Sequence, residues 1–139
     1  MMKTQATFET FVHELSKEMG LTLDPAPGIL RLDLNGVPFM IAHDAAQWGE
    51  ENVAIVCDFG EAPKENRCAI LEALLAANRD MHGLHSPVFS MDPGSGHVLA
   101  MSALPLAAMD PAQTMQSMLK HVAVVANWKQ SYFLETEAA

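Results

Sequence analysis

At 139 residues the chain has the commonest length for one domain, and the scaling of surface with size says that folding removes roughly 68% of its extended-chain surface. Seventeen Asp and Glu against eight Lys and Arg leave a formal net charge of -9, and the basic residues are scattered from Lys3 to Lys129, so nucleic acid and anionic membrane surfaces are both repelled. Half of the residues are apolar and only 18% are charged, which excludes a disordered chain and supplies enough apolar surface for one core, with some of it left exposed.

The first element is a helix. Phe8, Phe11, Val12, Leu15 and Met19 recur at three- and four-residue steps on one face, with Thr4 placed to cap it and Gly20 to end it. No apolar run approaches the roughly 20 residues of a membrane span, and MMKTQATFETFVHELSKEMG carries acids where a signal peptide has its apolar stretch. A cytosolic chain is expected.

The stretch LTLDPAPG cannot continue a helix, and ILRLDL-NG-VPFMIA then carries the strongest short-range hairpin signal. A two-residue turn at Asn35-Gly36 pairs Leu34 with Val37, Leu32 with Phe39 and Leu30 with Ile41, which puts six large apolar side chains on one face toward the core. Pro38 falls opposite Asp33 at a pair that exchanges no backbone bonds, so its missing N–H does no harm. The reverse face, Ile29, Arg31, Met40 and Ala42, is oily for a solvated one.

After the polar loop around HDAAQWGEEN, VAIVCDF reads as a third strand closed by Gly60, with Pro63 in the first turn of a second helix that runs to about Asn78. Its apolar residues Cys68, Ile70, Leu71, Leu74, Leu75 and Ala77 spread beyond one narrow stripe, which predicts burial on two sides, one of them against another subunit. Two apolar runs, around Val88–Met91 and His97–Ala103, flank the turn Asp92-Pro93-Gly94-Ser95-Gly96 and predict a second hairpin. Asp110-Pro111-Ala112-Gln113 then opens a third helix with an N-cap acceptor, a proline at the first position and a Gln suited to a capping box. Met115, Met118, Leu119, Val122, Val125, Ala126 and Phe133 are its expected inward face, with Trp128 and Tyr132 on an adjacent strip. The predicted order is αβββαββα, an α+β single domain over residues 1–139 with a mainly antiparallel twisted sheet, three helices, and frayed ends at about 1–4 and 134–139.

Chemistry is sparse. Ser95 in GSG lacks the strand-to-helix setting of a nucleophile elbow. His82 and His85, with Asp80, offer part of a metal shell, but in a Gly/Pro-punctuated loop where nothing fixes them. His13 and His121 lie on or beside apolar helix faces, where structural or surface histidines are the rule. Cys57 and Cys68 have no short redox spacing, so free buried thiols are expected, with no disulfide. No cofactor or metal site is expected, and Trp48 fits either a lid over the core or a partner contact. Ten methionines are unusual, and their polarizable side chains suit either soft core packing or a surface that adapts to apolar peptide.

The order of elements, the stretch ILEALLAAN at residues 70–78, the following GLHSPVFSMDPGSGHVLAMSALPL and the late Trp128 together resemble the class I type III secretion chaperones, the Tir-chaperone (CesT-like) family of bacteria. The resemblance runs from Phe8 to Trp128. It implies a small acidic cytosolic homodimer without catalysis that binds the N-terminal segment of a secreted effector, keeps it extended and presents it to the secretion apparatus, whose ATPase is a further expected partner. It implies a dimer interface at Ile70, Leu71, Leu74, Leu75, Val88 and Phe89. Effector binding is implied at Phe8, Phe11, Ile29, Leu30, Leu32, Phe39 and Met40, several of which must also serve the core. The alternatives are a same-fold adaptor or regulator unrelated to secretion, and a small metal-dependent hydrolase using His82, His85 and Asp80.

Overall fold

Asn35 and Gly36 both adopt positive φ, 54° and 84°, the geometry that joins two twisted strands through a two-residue turn. They connect β1 (Ile29–Leu34) to β2 (Val37–Ala42), and the register is the expected one, Leu34 opposite Val37, Leu32 opposite Phe39 and Leu30 opposite Ile41. The computed structural model describes residues 2–23, 28–44, 46, 49, 51–81 and 87–134. β3 (Asn52–Glu61) pairs antiparallel with β2, and β4 (Val88–Met91) forms the second hairpin with β5 (His97–Pro105). β5 inserts beside β3, giving one five-stranded antiparallel sheet in the order β1-β2-β3-β5-β4.

Three helices complete the described fold: α1 (Met2–Met19), α2 (Arg67–Met81) and α3 (Pro111–Ser131), the last preceded by a 3-10 turn at Leu106–Ala108. α3 packs on α1, β1 and β3, and α2 packs on β4. The element order and the α+β class are as the sequence predicts.

α1 buries Phe8, Phe11, Val12 and Leu15. It ends where expected: Gly20, at φ 68°, bonds back to the Lys17 carbonyl at 3.2 Å while Leu21 N–H reaches Ser16 at 3.1 Å, the paired bonds of a Schellman cap. Its start is a correction, because the helix begins at Met2, upstream of Thr4. Asp110 caps α3 through its carboxylate, which accepts from Gln113 N–H at 3.0 Å.

Several boundaries and faces differ from expectation. Gly60 does not close β3 but lies within it at a bulge, with φ 94° and its N–H held by Asp58 Oδ1 at 2.8 Å. α2 begins at Arg67 and not at Pro63, because the chain first makes a turn through Lys64 and Asn66, whose φ of 62° is not helical. On α3 the inward stripe is Thr114, Met118, Val125 and Trp128, alternating four-, seven- and three-residue steps, whereas Leu119 is 38% exposed and Ala126 is exposed. Trp128, placed on a side strip by the sequence, is instead fully buried, edge-on to Phe59 at 5.7 Å and to Tyr132 at 4.9 Å. Cys57 is buried as expected, but Cys68 is exposed at the start of α2.

Register assigns every strand residue to a face. The helix-covered face carries Leu30, Phe39, Ile41, Cys57, Phe59, Val98 and Ala100, all in the core. The opposite face is also largely apolar.

Candidate functional site

Among the described residues, Cys57, Ser95, His97 and His121 are each buried or hydrogen-bonded within the fold. Burial pushes the Cys57 thiol to about 12, with the neighbouring Asp58 charge adding to the shift, so it stays protonated and inert at neutral pH. Ser95 Oγ donates to Asp92 at 2.8 Å within the β4–β5 turn, and His121 Nδ1–H donates to the Ser117 carbonyl at 2.8 Å along its own helix. His97 Nδ1 lies 3.0 Å from both carboxylate oxygens of Asp58, a pairing that ties the start of β5 to the β3 bulge. Among the described residues no group of three or more His, Cys, Asp or Glu side chains could hold a metal ion. His82, His85 and Trp48 lie outside the described residues, and Asp80 is exposed on α2.

What remains is surface. On the sheet face away from the helices, the registers align three rows across the strands. One is Ile29, Ala42, Ala54 and Ala103; the next is Arg31, Met40, Val56, Met101 and Val88; a third includes Asp33 on β1 and Asp58, Leu99 and Ser90 on β3, β5 and β4. Ala42, Ala54 and Val56 are buried although they face away from the helices. Met40, Leu99 and Met101 are half-buried. The last two rows border a furrow of about 750 Å³.

The residues expected to bind effector do not form one patch. Phe8, Phe11, Leu30 and Phe39 are buried core, Phe8 stacked on His43 at 5.3 Å and Phe39 edge-on to His121 at 6.5 Å. Leu32 is half-buried against that core, while Ile29 and Met40 stand on the other face of the sheet. The expected interface residues also divide. Ile70, Leu74 and Phe89 are core and Leu71 is half-buried, whereas Leu75 is 67% and Val88 53% exposed.

Asn78, which sequence reasoning passed over, holds the edge of β4. Its Oδ1 accepts from Phe89 N–H at 2.7 Å and its Nδ2 donates to the Phe89 carbonyl at 3.1 Å. One side-chain amide thereby takes the place of a neighbouring strand at that position. The outer-face rows were also missed on β3 and β5; the signal for them is VAIVCDF, which is apolar at both parities and so marks a strand with two apolar faces.

The described residues form an α+β domain whose outer sheet face is partly apolar. The model of the Tir chaperone protein (CesT) family matches residues 10–129, and the chain belongs to that family, the effector-binding chaperones of type III secretion. No curated protein matches its sequence. Among solved structures it is similar to a chain of the HopA1-SchA chaperone-effector complex, at TM-score 0.72 and 13% identity over 94% of this chain and 98% of that one. It is also similar to a chain of the ExsC-ExsE complex, at TM-score 0.72 and 16% identity over 92% and 95%. A third is a chain of the ExoT-SpcS complex from Pseudomonas aeruginosa, at TM-score 0.60 and 18% identity over 87% and 96%. At these identities the likeness is one of fold.

Proposed function

We propose that the chain acts in the bacterial cytoplasm as a homodimeric, non-enzymatic chaperone that binds the N-terminal segment of a type III secreted effector and keeps it extended and ready for export. The reading rests on the family membership across residues 10–129. Physical chemistry supports it. An extended segment loses conformational freedom when it is held, so its affinity must come from buried apolar area and main-chain pairing. The outer sheet face offers half-buried Met40, Leu99 and Met101 for the first. The β1 edge of the sheet offers main-chain groups for the second.

Two copies join, in this reading, through the exposed side of α2 at Leu75, with Leu71 beside it, and through Val88 on β4. Ile70, Leu74 and Phe89 support that surface from within the core. Phe8, Phe11, Leu30 and Phe39 act on client binding through the fold, and Ile29, Leu32 and Met40 are the members of the expected set with surface to offer. The secretion ATPase receives the loaded dimer.

The test is to purify the tagged protein from its native cytosol, identify the bound chain by mass spectrometry, and measure export of that chain with the chaperone gene deleted. The expected result is one or a few effectors, bound through their first segment and no longer exported without the chaperone. Recovery of a non-secreted partner, with export unchanged by the deletion, would establish an adaptor instead.

A further inference from the structure

The furrow on the outer sheet face has an uneven charge distribution. Its floor is apolar, with Met40, Val56 and Leu99 contributed by three adjacent central strands, β2, β3 and β5. Its rim carries three carboxylates, Asp33, Asp58 and Asp92, against one guanidinium, Arg31. Asp33 and Asp92 are exposed, and Asp92 is bonded within its own turn, to Ser95 and Gly94 and through its main chain to Gly96 and His97. Those turn bonds from the Ser95 hydroxyl and the Gly94 amide hold the Asp92 carboxyl below the usual carboxylate range, so it stays charged in mildly acidic solution. Asp58 faces His97 Nδ1 at 3.0 Å.

An apolar floor inside an acidic rim selects its occupant by charge. A second copy of this chain, with a net charge of -9, would bring further acid to an acidic rim, and a two-fold contact would set the same carboxylates near one another. An acidic or neutral peptide would gain only the floor. We propose that this furrow docks a cationic amphipathic segment of the client, whose apolar side chains lie on Met40, Val56 and Leu99 while flanking Lys or Arg side chains reach Asp33, Asp58 and Asp92. The assignment rests on the effector-binding reading and adds to it the chemistry of the segment and the face that takes it.

The test uses fluorescence anisotropy with two labelled peptides, one of alternating lysine and valine and one of alternating glutamate and valine. The lysine peptide should bind the wild-type protein and the glutamate peptide should not. The double variant Asp33→Asn/Asp92→Asn should weaken the lysine peptide by about two- to thirtyfold, the range of two exposed ion pairs. Glu18→Gln/Glu72→Gln, which removes the same charge from exposed positions on α1 and α2, should leave binding unchanged. Equal weakening by both double variants would reduce the effect to net charge and overturn the site. Binding of both peptides alike, or of neither, would overturn it too. A change in oligomeric mass of Asp33→Asn/Asp92→Asn by light scattering would make the face a contact between copies, which also overturns it.

The effector recovered from the native cytosol separates this inference from the reading beneath it. If that effector binds Asp33→Asn/Asp92→Asn as tightly as the wild type, the furrow assignment fails and the chaperone reading stands. If no effector is recovered, the reading fails, and the peptide measurements still decide the furrow.

Discussion

Phe39 and Met40 are neighbours on β2 that point to opposite faces, and the fold gives them different duties. Phe39 is buried under α3, so Phe39→Ala should cost about 3 to 5 kcal/mol, as large-to-small changes in packed cores do. Met40 is half-buried on the face without helices, and Met40→Ala should cost about 1 kcal/mol, in proportion to the smaller area withdrawn from water. Urea unfolding of the two variants checks the difference, and equal losses would mean that both faces are covered in the native protein. The two titration shifts act at the same scale. A carboxyl group held low in the folded state, as Asp92 is, stabilises the fold above its unfolded value and loses that contribution as pH falls through the folded one. Ser95→Ala should therefore raise the Asp92 titration toward the ordinary carboxylate range in a carbon-detected NMR titration. Cys57 has the opposite sign: its raised value, about 12, favours the folded state below the unfolded thiol value, and that preference fades as pH rises through the folded one. A disulfide exchange reagent at neutral pH should leave Cys57 unmodified until the protein unfolds.

Among the elements, the β4 edge depends on an amide from α2. Asn78→Ala would expose or orphan both main-chain groups of Phe89, so a loss of about 1 to 3 kcal/mol is expected, with faster hydrogen exchange at the Phe89 amide. Unchanged exchange there would show that the two bonds do not persist in solution. Nothing local in the sequence announces this clamp, because its partners are on different elements and only the fold brings them together. The β1–β2 hairpin is the reverse case. Asn35-Gly36 fixes its register through turn geometry alone, so the pairing could be written from the sequence. The inward stripe of α3 fell between these extremes: apolar residues lie on more than one strip of the helix, and choosing Trp128 over Leu119 needed the position of Phe59. The candidate site was legible only in composition. Ile29, Met40 and Ala42 already read as an oily outward face, but its extension through Val56, Leu99 and Met101 depends on how β3 and β5 align.

For the whole molecule, the distribution of burial decides which substitution can test self-association. Leu74 presents itself in the sequence as an interface residue, yet it is buried within the single chain, so Leu74→Asp would unfold the protein whatever the oligomeric state. Leu75, 67% exposed on α2, is the informative position. Leu75→Asp should yield a folded monomer by sedimentation and circular dichroism, since a desolvated charge at the centre of an apolar contact is costly while the same charge in water is not. A dimer that survives this change would move the interface away from α2.

The strand order β1-β2-β3-β5-β4 also governs the sequence of events by which the chain acquires its shape. Each hairpin can close over a short turn, but joining β3 to β5 requires residues 62–96 to be looped out, and non-local pairings of this kind are slow to form. The centre of the sheet is consequently assembled late. Later still in synthesis comes α3, the helix that brings Trp128 against Phe59 and seals the core. A ribosome-bound chain can thus hold both halves of its sheet and still lack an interior until α3 has been made and Trp128 has met Phe59.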